Sequence, residues 1–512
     1  MVSSASGDHA SVAEKGIPAE TVNHEGEALA RLGYEEVAKR DIGLFTILCT
    51  GWNICNAWAA IAATIAIAIA SGGTVTIIYG IILVLFLGGC SAASLAELAS
   101  VYPTAGGQYH WTSILAPQRF TRGLSYACGA ANIFSWISVC AGVSIIVPQL
   151  ILAMVIFYNP GYEPQPWHYF LLYQAANFAI AAYNIFMLKR TSWIQDFGFT
   201  LTTSSFVVMV ITCLARSTNK QSSDFVWTVF INNSGWSSDG IVFLTGLVSP
   251  NYICAGIDGA IHLAEECSNA SVAVPRALMA TIGVAFLTSF VFAVSMTYSM
   301  ADFDKVLGTA TGVPIYEIWH QATRSEAAAT VFMVLLLIAV LLSLNACQQT
   351  ASRLTWAFAR DNALVCSNFI NRMHPTLHVP VWAILANCFV IFIIGCIYLG
   401  SSTAFNALIG TGLVLQQITF SIPIALVLYR KRASRWLPSD RKFNLGLFGW
   451  AANVVTCAFG ILVLVFYDFP FVMPATSGNM NYTSAVLGCM AIFTGINWIF
   501  YARKKYHGPR IE

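Results

Sequence analysis

Apolar runs of about twenty residues recur along the whole of this 512-residue chain, and no other feature constrains its fold so tightly. Each run is long enough to cross the roughly 30 Å hydrocarbon core of a bilayer as a helix. A soluble chain of this size needs charge to cover its surface. Here 57% of residues are hydrophobic, 10% are charged, and the mean hydropathy is +0.67. In lipid the backbone must satisfy its own hydrogen bonds, so helices are the default. The alternating pattern of a membrane β-barrel is absent. The reading is an all-α polytopic membrane protein. A net charge of +2 gives no reason to expect a nucleic-acid partner.

Twelve spans are expected, at about 42–70, 74–98, 123–157, 167–187, 193–215, 240–265, 277–300, 326–350, 380–399, 403–429, 446–468 and 482–502. They define one transporter-sized domain, 42–502, between an amino-terminal tail, 1–41, and a short carboxy-terminal tail, 503–512. Basic residues set orientation, because cytoplasmic loops retain Lys and Arg. With the amino terminus inside, only Arg216, Lys220, Lys305 and Arg324 of the 26 basic residues fall outside. Both termini are then cytoplasmic, and the plasma membrane is the expected location. The sequons at Asn232 and Asn481 fall in outside loops, where glycosylation is possible, whereas the one at Asn269 falls inside.

The amino-terminal tail lacks the apolar core of a cleavable signal. Its stretch EGEALARLGYEEVAKR reads either as a surface amphipathic helix or as a disordered tail. The 14 cysteines avoid the long outside loops, so a disulfide framework is not expected. No metal-ligand spacing and no phosphate-binding loop is present, so neither a metal nor a cofactor is expected. An intramembrane enzyme would need a nucleophile–base or metal constellation, and none is visible.

One apolar segment is spoiled in its middle. Residues 245–266 read TGLVSPNYICAGIDGAIHLAEE. Pro250 removes a backbone donor, and Gly256 and Gly259 ease departure from helical geometry. Ser249, Asn251, Tyr252 and Asp258 add polar groups. Unpaired backbone at membrane depth is tolerated where it lines a cavity, and secondary transporters build substrate sites from such breaks. The expected discontinuity is 249–256. The first span carries Thr50, Gly51, Asn53 and Asn56, with Trp52 and Trp58 among them. Five spans separate the two, which suits two inverted five-helix halves.

The motifs SLAELASVYPTAGGQYHW (94–111), GIDGAIHLAEECSNASVAVPRAL (256–278) and SRLTWAFARDNAL (352–364) resemble the fungal amino acid/choline transporter branch of the amino acid–polyamine–organocation permease superfamily. The tail motif LARLGY fits as well, and the likeness covers nearly the whole chain. It implies a leucine-transporter-like fold: ten helices in two inverted repeats, broken in spans 1 and 6, plus two peripheral helices. It implies alternating access, usually driven by a cation gradient. By that resemblance the first-span break maps to Thr50, Gly51, Trp52 and Asn53. Many members have a glycine-rich triplet there that holds an α-carboxylate. Gly-Trp-Asn in its place suits substrates with a separated or absent carboxylate, such as γ-aminobutyrate or choline. Trp52, Trp58 and Tyr252 offer cation–π faces, or simply pack between helices.

Some members place a sodium-mimicking lysine on the fifth span. This chain instead has hydroxyls at Thr202, Thr203 and Ser204, which with Ser343 and Asn345 on the eighth span form a candidate ion site. Hydroxyls also often bond their own preceding turn. An unpartnered charge at membrane depth costs at least about 2.5 kcal/mol. Asp258 is therefore the leading candidate to meet a cation or carry a proton, with His262 one turn later as a relay. Glu97, Glu265, Glu266, Arg276 and Arg353 are candidates for a cytoplasmic gate, with Arg119 and Arg122 as further partners.

The sequence thus points to a secondary transporter whose partners are the bilayer, a coupling cation and a small substrate: an amino acid, γ-aminobutyrate, choline or a polyamine. A substrate-sensing transceptor is the alternative of another class, and the short tails give it little support.

Overall fold

The computed structural model describes residues 40, 42–191 and 193–509; the amino-terminal tail with its LARLGY motif lies outside them. The described residues are helical, without strands apart from isolated bridges such as that between Ile42 and Cys267. Among the described residues, eleven helices are long and apolar enough to cross a membrane.

The first candidate span is two helices, α1 (Leu44–Cys55) and α2 (Ala57–Ala70), with Asn56 between them. Gly72 and Gly73, both at positive φ, turn the chain into α3 (Gly73–Val101). A Cβ on Gly72 would lie 2.8 Å from the Phe230 ring, so only glycine fits this turn. A buried loop leads to the short helix α4 (Gln108–Leu115) and then to α5 (Thr121–Tyr158). The next helices are α6 (Pro166–Phe186) and α7 (Ile194–Arg216). The interrupted segment Asp239–His262 follows. Beyond it come α8 (Ala270–Ser299), α9 (Glu326–Arg360), α10 (Val381–Gly400), α11 (Ser402–Tyr429), α12 (Phe448–Phe466) and α13 (Thr483–Asn497).

Helix α6 is 21 residues long but is not among the eleven. Its polar side chains explain why. Tyr173, Gln174 and Asn177 donate to the carbonyls of Ile391, Phe392 and Cys388 at 3.0, 3.0 and 3.1 Å. Gly395 lets the two helices approach, since a Cβ there would lie 2.5 Å from the Tyr173 ring. The polarity of α6 is thus spent on α10, a direct use of side-chain hydrogen bonds where water is absent.

The core gathers around α1, α2 and the interrupted segment. Helix α3 lies along α8, and α5 lies between α9 and α11. Helix α13 is peripheral, with only 6% of its apolar window buried. None of the 14 cysteines is joined in a disulfide.

Candidate functional site: two interrupted helices around a buried carboxylate

The interrupted segment stays helical through Val248–Asn251, tightens into a 3-10 turn at Tyr252–Cys254, and resumes as Gly259–His262. The discontinuity therefore lies at 252–258, downstream of the expected 249–256. Ala255 is extended (φ −63°, ψ 123°) and Gly256 is left-handed (φ 76°). Pro250 does not make the break. Its ring packs on Gly80 of α3, where a Cβ would lie 2.6 Å from Pro250 Cγ. Ser249 Oγ lies 2.9 Å from Thr64 Oγ1 and donates to Thr64 O at 3.0 Å, fixing this turn to α2. Asn251 is buried beside it.

The first interruption also lies downstream of its expected place. Thr50, Gly51, Trp52 and Asn53 are all helical and buried, and the chain breaks at Asn56 (φ 30°, ψ 60°). The neighbours explain this. Thr50 Oγ1 donates to Thr46 O at 2.8 Å. A Cβ on Gly51 would lie 2.9 Å from Thr281 Oγ1, so this glycine serves close packing on α8. Trp52 Nε1 donates to Thr202 Oγ1 at 3.1 Å. Asn53 Nδ2 donates to Gln195 O and Oε1 at 2.8 and 2.9 Å. After Asn56 a new helix begins, and the first-turn N–H groups of a new helix have no intrahelical partner.

The two interruptions touch. Cβ atoms on Gly256 and Gly259 would lie 2.4 Å from Ile54 Cγ2 and 2.4 Å from Ile54 Cδ1, and 3.1 and 3.3 Å from the Trp136 ring. Gly256 therefore faces packed side chains rather than open space. Around the junction, Asn56 Oδ1, Trp58 Nε1, Asn132 Oδ1 and Thr350 Oγ1 are buried without a hydrogen-bond partner. Tyr252 and Ala255 are half-buried in a stretch whose other residues, from Leu247 to Cys267, are buried. Trp52 and Trp58 are fully buried against Phe199 and Phe292. They pack between helices and present no open face to a ligand.

Asp258 is fully buried and takes four donors. Gln108 Nε2, His262 Nε2 and Trp136 Nε1 lie 2.7, 3.1 and 3.3 Å from Oδ2, and Gln416 Nε2 lies 3.2 Å from Oδ1. Asn132 Nδ2 bonds Gln108 Oε1 at 3.1 Å and lies 3.5 Å from His262 Nε2. The carboxylate thus ties the interrupted segment to α4, α5 and α11. Gln108, Asn132, Trp136 and Gln416 were not singled out from the sequence. Only the helical phase of α4, α5 and α11 would place them, and their chemistry alone is unremarked.

The five candidate ion-site residues are not gathered. Ser204 is exposed on the outer face of α7, and Thr203 is half-buried with Oγ1 unpartnered. Thr202 Oγ1 donates to Gly198 O at 2.8 Å while accepting from Trp52. Ser343 Oγ donates to Ile54 O at 3.0 Å, capping the end of α1. Asn345 offers its carbonyl to Asn184 Nδ2 at 3.4 Å and leaves Oδ1 unpartnered. Among the described residues no group of three or more His, Cys, Asp or Glu is placed to hold a metal ion.

The gate candidates separate into three clusters. Glu266 meets Arg353 Nε and Lys189 Nζ, each at 2.7 Å. Glu265 meets Arg360 at 2.8 Å and accepts from Ala105 N at 3.1 Å. Glu97 meets Arg432 and Arg441, each at 2.8 Å, and so fastens α3 to the segment before α12. Arg276 is exposed, Arg122 bonds the carbonyls of Arg503 and Tyr506, and Arg119 lies over Phe120; none joins a glutamate. Lys189, Arg360, Arg432 and Arg441 are the partners that sequence reasoning missed. Burial raises the Glu266 pKa, but Arg353 and Lys189 outweigh it and hold the carboxyl down at about 2. Glu265 is likewise lowered, with Arg360 overcoming the burial.

Of the two sequons, Asn232 is exposed and bonds Trp236 O and Asp239, whereas the half-buried Asn481 donates to Tyr467 O and Phe469 O. Both lie at the same end of the molecule, because Met473 N donates to Ser234 O.

Bilayer-length helices, two of them interrupted side by side around buried polar groups, define a membrane permease rather than an enzyme. The amino acid permease family model matches residues 42–493, and the chain belongs to that family. It is 33% identical over 92% of its length to a choline transporter of Saccharomyces cerevisiae, covering 83% of that protein. It is 33% identical over 85% of its length to a putative amino acid/polyamine transporter of Macrophomina phaseolina, covering 96% of it. An amino-acid permease of Arabidopsis thaliana is 27% identical over 94% of this chain and 95% of its own.

Proposed function

We propose that the protein is a cation-coupled secondary transporter of small amines, working by alternating access at the junction of its two interrupted helices. The observation that carries this reading is the contact of Ile54 with Gly256 and Gly259, which sets the end of α1, the start of α2 and the extended Ala255 around one point. Carbonyl ends of half-helices suit an ammonium group, and their amide ends suit a carboxylate. Such a junction suits choline, γ-aminobutyrate, an amino acid or a polyamine, and the relatives named for choline and for amino acids and polyamines support that range. In this reading Asn56, Tyr252 and the backbone at 255–257 contact the substrate. Asn53, Ser249, Asn251, Thr50, Gly51 and Trp52 hold the helices that frame it.

The same reading makes α6 the twelfth span and arranges ten helices as two inverted sets of five with two more outside. Both termini lie in the cytoplasm of a cell whose plasma membrane holds the protein, and the clusters of Glu265 and Glu266 close the inner end. Asn232 is the better glycosylation acceptor of the two sequons. The test is uptake of a radiolabelled panel of choline, γ-aminobutyrate, amino acids and polyamines, with pH and sodium gradients varied separately. Accumulation of one class, dissipated with one gradient, supports the reading. Transport of none of them, at normal surface abundance, overturns it.

A further inference from the structure

The Asp258 carboxylate offers nothing to a substrate. A carboxylate has about four lone-pair directions. Gln108, Trp136 and His262 approach Oδ2, Gln416 approaches Oδ1, and the side chain has no exposed surface. An ammonium group would have to displace a donor inside a sealed cluster. His262 is equally sealed, at 0% exposure.

The second contact of His262 raises a question of protons. Its Nδ1 lies 2.8 Å from the carbonyl oxygen of Ala105, while its Nε2 lies 3.1 Å from Asp258 Oδ2. A carbonyl only accepts, so Nδ1 must carry hydrogen. A hydrogen is also needed between Nε2 and Oδ2. Holding both contacts therefore takes two protons on the pair, either as imidazolium with carboxylate or as imidazole with carboxylic acid. With one proton fewer, a lone pair faces oxygen at one end or the other. The charged carboxylate is the stronger acceptor, so the remaining hydrogen stays on Nε2 and the Ala105 contact is lost.

We propose that Asp258 and His262 form a shared proton site, and that its loading state sets whether the buried loop of residues 104–107 is fastened to the interrupted segment. This deepens the transport reading and rests on it for the role of the proton as coupling ion. The loop is built to sense the imidazole. Gly107 is left-handed (φ 50°), and a Cβ there would lie 2.8 Å from Ile261 Cγ2 and 3.4 Å from His262 Cε1. The other backbone group of the same residue reaches the inner gate, because Ala105 N donates to Glu265 Oε1, itself paired with Arg360. A proton bound from the outside-facing state keeps the loop fastened. Its release to water at the inner end frees Ala105 and strains the Glu265–Arg360 closure. One proton enters and one leaves per cycle, with no other reactant.

The ionisable neighbours are few. Cys55, a buried thiol, ends α1 at the first interruption. Cys254 lies on the segment itself, Cys128 and Cys140 on α5, and Cys347 on α9, all buried. Tyr109 and His110 stand on α4, where Tyr109 bonds Asp361 at 2.8 Å. Burial, reinforced by Arg360, pushes the His110 pKa down to about 3, so that imidazole stays neutral. Helix α11 brings only the Gln416 amide.

The experiment follows the loop directly. Thr104 is fully buried, and Cys366 is an exposed thiol in the same chain. In the full-length Thr104→Cys protein, maleimide modification of the two thiols is read separately by peptide mass spectrometry. Cys366 corrects for the titration of thiols in general. The corrected rate at position 104 should rise as the pH is raised, because loss of the shared proton unfastens the loop. The rise should vanish when His262→Gln or Asp258→Asn is added, since the first removes the imidazole and the second the carboxylate that retains its last hydrogen. A flat corrected rate, or a rise that persists unchanged in both variants, overturns the proposal. Transport separates this from the broader reading. A protein that accumulates an amine on a sodium gradient with a flat rate loses the proton site and keeps the transport function. One whose loop titrates while no amine of the panel moves keeps the site and loses that function.

Discussion

Ile54, on the last turn of α1, lies where a Cβ on Gly256 would sit only 2.4 Å from its Cγ2. At this point the two interrupted helices meet where the Ile54 side chain packs on Gly256 and Gly259. Gly256 is also left-handed at φ 76°. Gly256→Ala therefore incurs two separate costs: about 1–2 kcal/mol for the backbone and about 1–3 kcal/mol for overpacking. Ile54→Ala should relieve only the second. The expected result is a lowered melting temperature for Gly256→Ala in detergent, partly restored in the double variant. Simple additivity would show that the two residues do not touch.

Most of the architecture was legible in the sequence because lipid simplifies the code. A helix must be long and apolar, and eleven of the twelve expected spans meet that test outright. Helix α6 fails it because its Gln174 and Asn177 serve α10. The existence of two interruptions was also readable, from Gly, Pro and amide content. Their registers were not. Gly51 and Pro250 are breakers by residue type, yet each is held in helix by a partner far away in sequence, Thr281 for one and Gly80 for the other. The same limit applies to Asp258. Its acidity marked it, and His262 stood one turn later, but the other three groups that seal it come from three different elements, with no spacing to announce them.

The Thr202 hydroxyl tests whether α7 binds an ion. It is already engaged twice, accepting from Trp52 Nε1 and donating to Gly198 O. Thr202→Val keeps the shape and strands a buried indole N–H. An unsatisfied buried donor costs about 1–3 kcal/mol. Thermal stability should drop accordingly, while the ion dependence of uptake stays that of the wild type. Selective loss of sodium dependence in Thr202→Val would restore α7 to the ion site.

Sidedness is open to cysteine scanning. Ser477 is exposed near the loop that contacts Ser234, and Ala433 is exposed among Arg430, Arg432 and Arg435. A membrane-impermeant maleimide applied to intact cells should label Ser477→Cys and leave Ala433→Cys unmodified until the cells are opened. Labelling of Ala433→Cys in intact cells would invert the topology that the basic residues indicate.

Tyr252 is the aromatic side chain at the second interruption that is only half-buried. If it faces the ammonium group of the substrate, the ring contributes about 0.5–2 kcal/mol through its π face. Tyr252→Phe should leave the apparent KM for uptake nearly unchanged. Tyr252→Leu should raise it by roughly twofold to thirtyfold, as that energy implies at about 1.4 kcal/mol per tenfold. Equal losses in both variants would point to the hydroxyl instead.

The ion-pair cluster around Glu266 should be the acid-sensitive part of the molecule. Glu266 is held at about 2 by Arg353 and Lys189, against an ordinary value of 4.5. A carboxylate whose pKa falls on folding stabilises the folded state above its unfolded pKa. That stabilisation is lost as pH drops from about 4.5 towards 2. Glu266→Gln removes the titration but leaves Arg353, 2% exposed, without its counter-charge. Breaking one side of a buried pair costs about 3–5 kcal/mol. At neutral pH the variant should therefore melt well below the wild type, and the gap should narrow as the solution is acidified through pH 4. A replacement that also removes the arginine, Glu266→Gln with Arg353→Met, should recover much of the neutral-pH loss, because well-packed neutral groups often match a buried ion pair. The double variant should also leak substrate from preloaded vesicles if the pair closes the inner gate. Normal retention of substrate in it would reduce Glu266 and Arg353 to a structural tie between the interrupted segment and α9.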